Sequence, residues 1–104
     1  FGVAEIGGGN VIKIEEKPKS PKSKYCVTGL YLYNNKVWDI IDGLAPSKRG
    51  ELEITDVNNK YVDLEDMDYS IVDGMWSDAG TPDSLALATE TILKTKLRQA
   101  DLDV

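Results

Sequence analysis

The sequence predicts an α/β fold, a mixed sheet with helices packed on it, with strands first along the chain and helices later. Three features carry that expectation. Near the N-terminus, β-branched residues alternate with charged ones; an aromatic and β-branched run follows at 25–33; then three stretches repeat apolar residues at helical spacing. In order, Gly2 to Ile6 and Val11 to Glu16 read as two strands around the turn-forming Gly7-Gly8-Gly9-Asn10. Ile12 and Ile14 alternate with Lys13 and Glu15, as expected where one sheet face is buried. The Pro-, Lys- and Ser-rich stretch 18–24 is a loop. Tyr25 to Tyr33 suits a central strand covered on both faces. Asn34 or Asn35 can cap a helix carrying Val37, Ile40, Ile41 and Leu44, ended by Ala45-Pro46. A second helix starts near Leu52, with Ile54, Val57, Tyr61 and Leu64 on one face. Tyr69 to Val72 reads as a short strand. Thr81-Pro82 opens a third helix, burying Leu85, Ala88 and Ile92, and the tail from Gln99 frays.

A chain of 104 residues bounds the molecule to one domain, 1–104. Folding at this size buries roughly 65% of the unfolded chain's surface, enough for one modest core. Net charge is −6, so the counterion-releasing basic stripe of a nucleic-acid binder is missing. Any cation that holds an anion here must be placed locally. No apolar run reaches the roughly 20 residues of a membrane span, and nothing at the N-terminus reads as a signal peptide. The expected partners therefore include neither nucleic acid nor membrane. The chain lacks an initiator Met and begins inside a strand, so it reads as a piece of something longer. Cys26 is the single cysteine, which rules out an internal disulfide and fits a reduced, cytoplasmic setting. With no His to activate it, Cys26 reads as a small core hydrophobe.

Three short segments carry chemistry. Glu15-Glu16-Lys17-Pro18 ends a strand in two carboxylates, a lysine and a turn, and strand ends in α/β proteins face ligand clefts. In isolation it is also a solvated charged strand end. Arg49-Gly50, just before a helix, can offer a guanidinium fork and backbone N–H groups to a phosphate; taken alone it is an exposed loop with capping residues. Asp78, between Trp76 and Gly80, suits a Mg²⁺ ligand or simply a turn. Gly7-Gly8-Gly9 is a hairpin turn and not a phosphate loop, because no helix follows to receive an anion.

Taken together and in order, these segments are specific. Glu-Glu-Lys-Pro at 15–18, Val-Thr-Gly-Leu-Tyr at 27–31, Arg-Gly-Glu-Leu-Glu-Ile-Thr-Asp at 49–56 and Trp-Ser-Asp-Ala-Gly-Thr at 76–81 resemble the second half of the sugar-1-phosphate nucleotidyltransferase family. The stretch at 49–56 favours its glucose-1-phosphate thymidylyltransferase branch. The resemblance implies a fragment of the nucleotide-diphospho-sugar transferase (Rossmann-like) fold. It also implies joining a sugar 1-phosphate to a nucleoside triphosphate, with release of pyrophosphate. It casts Glu16 as acceptor for sugar hydroxyls, Lys17 and Arg49 as the catalytic phosphate-holding pair, and Val27, Gly29 and Trp76 as further substrate-binding residues. Asp78 becomes one of two aspartates for Mg²⁺. The family's nucleotide-binding loop and second metal aspartate belong to its N-terminal half, so the isolated chain is expected to be inactive. Ala79 stands where threonine is common in thymidylyltransferases, which leaves sugar and base open.

The residue types suit that reaction. The nucleophile is a phosphate oxygen already ionised at neutral pH, so no general base is required and the lack of His matters little. What is required is to hold two anions in line and cancel their repulsion, which Lys, Arg and a metal do. Two rival readings remain: a non-catalytic sugar-phosphate-binding or regulatory module, and an assembly piece whose exposed sheet edge drives homo-oligomerisation.

Overall fold

A computed structural model describes residues 1–95, so the expected fraying from Gln99 lies outside the described residues. The chain forms two compact units, 1–70 and from Ile71 onward.

In the first unit, β1 (Gly2–Gly7) and β2 (Asn10–Glu16) form an antiparallel hairpin. The connection is Gly8-Gly9, at φ 60° and 80°. A two-residue hairpin turn that follows the strands' twist needs positive φ at both central residues, which glycine adopts without steric cost. β3 (Tyr25–Cys26) pairs antiparallel with the other side of β1, giving the order β2-β1-β3. The hydroxyl of Ser23 fastens the preceding loop by donating to the Ala4 carbonyl and accepting from the Tyr25 N–H.

Register corrects the expected alternation in β2. Glu5 sits opposite Lys13 but Ile6 sits opposite Val11, so Ile12 is an extra residue on that strand. Such a bulge flips the side-chain phase. Val11 and Ile14 are consequently buried, and Ile12 is 54% exposed.

The long strand expected at 25–33 stops at Cys26, with one further backbone bond from the Val27 N–H to the Gly2 carbonyl (2.8 Å). Past Val27 the described residues place no strand alongside this segment, and propensity alone does not make an extended segment pair. Leu30 and Leu32 are exposed as a result, while Tyr31 and Tyr33 turn inward. Cys26 is exposed as well, not a core residue, because it ends an edge strand. No strand forms at 69–72.

α1 (Lys36–Asp42) starts where the Asn34 side chain accepts from the Lys36 N–H. α2 (Ile54–Asp63) buries Thr55, Val57, Asn58 and Tyr61. Ile54 and Leu64, expected on the buried face, are 42% and 58% exposed. They lie at the helix's first residue and C-cap, beyond the turns that meet the sheet. Glu65 ends α2 in the left-handed region (φ 55°), with Asp66 N–H bonding the Tyr61 carbonyl and Glu65 N–H the Val62 carbonyl. Two small apolar clusters result. Ala4, Val11 and Ile14 lie under β1 and β2, Val37, Val57 and Tyr61 lie between α1 and α2, and Met67 packs against both.

The second unit contains α3 (Pro82–Lys94). Thr81 and Ser84 form a reciprocal capping box with Pro82 at the first turn. None of its residues is buried; Leu85 and Ile92, expected as a packed face, are 55% and 60% exposed. Amphipathic spacing gives a helix an apolar stripe but does not supply the surface that covers it.

Candidate functional site

β2 ends at Glu16, and the chain leaves the sheet at Lys17, whose φ of 42° is rare for a residue with a side chain. The following proline disfavours the right-handed helical region at this position, and the Lys17 N–H is held by the Phe1 carbonyl at 2.9 Å. This turn carries Glu16 and Lys17 onto the rim of a cleft of about 590 Å³.

The opposite wall is the loop 47–50 and the start of α2, contributing Ser47, Lys48, Arg49, Glu53, Thr55 and Asp56. Gly50, at φ 76°, turns the loop back so that its N–H bonds the Ser47 carbonyl and the Ser47 N–H bonds the Glu51 carbonyl, both at 2.8 Å. Two contacts fix the walls against each other. The buried Thr55 hydroxyl donates to Glu16 Oε2 at 2.6 Å, across 39 positions of sequence. A Cβ at Gly2 would meet both oxygens only at ordinary contact distance, 3.6 Å, and would press on Ile14 Cγ2 at 3.3 Å. Deeper, Asn59 grips the outer edge of β2, accepting from the Ile14 N–H (2.9 Å) and donating to the Ile14 carbonyl (2.8 Å). β2 is an edge strand, so the side-chain amide takes the place of a neighbouring strand.

Arg49 is already engaged. Its Nε and Nη2 donate to Glu53 at 2.9–3.1 Å, and Nη2 lies 3.3 Å from Glu51. Ser47 Oγ also donates to Glu53 (2.9 Å) and accepts from the Arg49 N–H (3.2 Å). The Glu53 side chain is 16% exposed and Arg49's is 54%, so the carboxylate is the anchor and the guanidinium lies over it. The hydrogen bonds from Arg49, and then from Ser47, hold the Glu53 carboxyl below its ordinary range, with Lys17 adding to the effect. The bonds to Glu53 and the charges of Glu53 and Glu51 raise Arg49 above its ordinary value.

The same unit carries a tyrosine stack. Tyr31 and Tyr33 have ring centroids 5.9 Å apart, and Tyr33 and Tyr61 5.5 Å. Tyr33 donates to Asn58 Oδ1 (2.6 Å) and Tyr61 to Asn34 Oδ1 (2.9 Å). Burial, and then the charge of Glu16, raise Tyr31, which places that ring within electrostatic reach of the cleft. Burial, followed by Tyr31 and Tyr61, pushes Tyr33 up to about 12. A phenol raised from 10.0 stabilises the fold fully below pH 10, and that contribution is lost as pH rises through about 12. Absorbance titration of a Tyr33→Phe variant against the parent should remove one late-ionising phenol, and the parent should lose stability between those pH values.

Of the residues expected from the sequence, Glu16, Lys17 and Arg49 line one cleft. Val27 and Gly29 belong to the same unit but are not among its lining residues: Val27 packs beside the Ala4 cluster, and Gly29 holds a positive φ of 90°. Trp76 and Asp78 lie in the second unit, both exposed. A Cβ at Gly80 would come within 3.1 Å of the Asp78 carboxylate, so glycine leaves that carboxylate its room. Among the described residues no group of three or more His, Cys, Asp or Glu is arranged to hold a metal ion. No helix among them is long and apolar enough to cross a membrane. Sequence reading missed Thr55, Glu53, Asn59 and Lys48 as members of the site. Only Glu53 had a local signal, four residues after an arginine and just before a helix.

A glucose-1-phosphate thymidylyltransferase of Xanthomonas campestris pv. campestris is 46% identical over 102 residues, which cover 95% of this chain and 35% of that protein. The enzyme of the same name from Mycolicibacterium smegmatis is 43% identical with the same coverage. The chain thus spans about a third of the length of the curated relatives it matches. A crystal structure from Bacillus anthracis, of a protein assigned as a glucose-1-phosphate thymidylyltransferase and holding sucrose, superposes with a TM-score of 0.83. It is 49% identical, with 95% of this chain and 40% of that one covered. The α/β fold is therefore that of the nucleotidyltransferases. Since the nucleotidyl transferase family also matches residues 1–95, the chain belongs to that family.

Proposed function

We propose that this chain is the C-terminal, sugar-phosphate-binding part of a cytoplasmic enzyme of nucleotide-sugar and polysaccharide biosynthesis. The reaction moves a nucleotidyl group from a nucleoside triphosphate, dTTP by kinship, to a sugar 1-phosphate, glucose 1-phosphate by kinship. An oxygen of the sugar phosphate forms a bond to the α-phosphorus, the bond from that phosphorus to the β-phosphate oxygen breaks, and pyrophosphate leaves. The observation that carries this reading is that Glu16, Lys17 and Arg49, far apart in sequence, line a single cleft.

In this reading Glu16, oriented by Thr55, accepts from sugar hydroxyls through charge-assisted bonds. Arg49 holds the phosphate with the guanidinium edge that Glu53 leaves uncovered, and Lys17 adds a mobile point charge. Kinship also casts Val27, Gly29 and, in the second unit, Trp76 as substrate-binding, although Val27 and Gly29 do not line the cleft itself. Asp78 supplies one ligand to Mg²⁺, which would screen the triphosphate. Among the described residues Asp78 belongs to no group of three or more His, Cys, Asp or Glu that could hold the ion. The isolated chain binds sugar phosphate without turnover.

The test is a panel of triphosphates against sugar 1-phosphates, with the full-length protein and pyrophosphate release as readout. Release with dTTP and glucose 1-phosphate is the expected result. The same assay on the 104-residue chain should give none. Silence of the full-length protein with every pair would end this reading.

A further inference from the structure

The cleft's ionisable groups are not equally committed. Glu15 sits 3.8 Å from Lys13 and 3.5 Å from Lys22. Arg49 is shared between Glu53 and Glu51, so that cluster carries a surplus of negative charge and no net attraction for an anion. Two cations remain. Lys17 and Lys48, one on each wall, form no ion pair among the described residues. Glu16 and Asp56 likewise form no ion pair there, and both line the same cleft. Such a site offers two ammonium groups outside any ion pair, of which Lys17 also feels the charge of Glu53, and two carboxylate acceptors.

A phosphate monoester carries about −1.5 to −2 charge at neutral pH and accepts hydrogen bonds only. Sugar hydroxyls donate, and carboxylates receive them. The charge pattern matches a polyol monophosphate: phosphate at the lysines, hydroxyls at the acids. Arg49, bridled by two glutamates, supplies direction but little net charge.

Resting on the sugar-phosphate reading above, we infer that Lys48 is a phosphate-binding residue of this cleft, pairing with Lys17 across it to match a dianionic phosphomonoester. It acts as a point charge on a flexible stem, so its effect is on affinity and salt dependence, not on the geometry of the loop.

The test is a calorimetric and NMR titration of the chain with glucose 1-phosphate, glucose and inorganic phosphate, at low and high salt. The unsubstituted chain should bind glucose 1-phosphate more tightly than glucose, shifting the amides of 16–17 and 47–50. Lys48→Gln should weaken binding of glucose 1-phosphate and of inorganic phosphate about three- to tenfold, and flatten the salt dependence, with unchanged thermal unfolding. Lys36→Gln, whose lysine pairs with Asp66 away from the cleft, should change nothing. Equal binding by the Lys48→Gln and Lys36→Gln variants would overturn the role of Lys48 while leaving the sugar-phosphate reading intact. No preference of the unsubstituted chain for glucose 1-phosphate over glucose would overturn both.

Discussion

Asn59→Ala should cost about 2–3 kcal/mol of stability, the largest effect of any single side-chain truncation proposed for this chain. The asparagine makes two hydrogen bonds to the backbone of Ile14, a residue only 5% exposed. Truncation leaves one N–H and one carbonyl facing the helix with no partner. Each orphaned group costs about 1–3 kcal/mol when water cannot reach it, and the half-buried position trims the sum. Urea unfolding should show the midpoint falling by roughly 1–2 M with the slope unchanged. Hydrogen exchange at the Ile14 amide should accelerate more than at β1 amides. Because β2 carries Glu16 to the cleft, Asn59 also sets where the strand end meets Thr55. A variant with wild-type stability would show that β2 is held by its hairpin partner alone.

The second large effect is kinetic. In the full-length protein, Arg49→Ala should raise the KM for sugar 1-phosphate at least tenfold, about 1.4 kcal/mol. Two losses act together. The directional donor disappears, and Glu53 and Glu51, which now hold the guanidinium at 2.9 and 3.3 Å, are left to repel the phosphate. The second loss can be separated from the first. Adding Glu53→Gln to Arg49→Ala removes one repelling charge and should recover part of the affinity, whereas a phosphate that never approaches this loop would respond to neither change. Unchanged kinetics for Arg49→Ala would remove this residue from the site.

The elements differ in how far local sequence could reveal them. The hairpin was legible because Gly8-Gly9 selects its own turn by φ, a property of two residues. The starts of α1 and α3 were legible for the same kind of reason: Asn34 and Thr81 satisfy helix N–H groups a few positions away. The strands at 25–33 and 69–72 were misread because extended structure is stabilised by a neighbour, and propensity cannot say whether a neighbour is present. The phase of β2 was misread at Ile12, since a bulge is defined by the partner strand's count as well as its own. Cys26 failed likewise: its apolar surroundings in sequence became an exposed edge in space.

By itself the sequence determined the α/β class, the hairpin, the starts of α1 and α3 and three chemical segments, because turns, caps and periodicities are set by residues a few positions apart. Tertiary structure alone decided that Glu16 meets Thr55 across 39 positions, that Asn59 grips Ile14 across 45, and that the strand end and the arginine loop share one cleft. It also decided that Arg49 arrives ion-paired to Glu53 while Lys17 and Lys48 form no ion pair among the described residues. Charge compensation depends on distance in space, and a linear sequence fixes only distance along the chain.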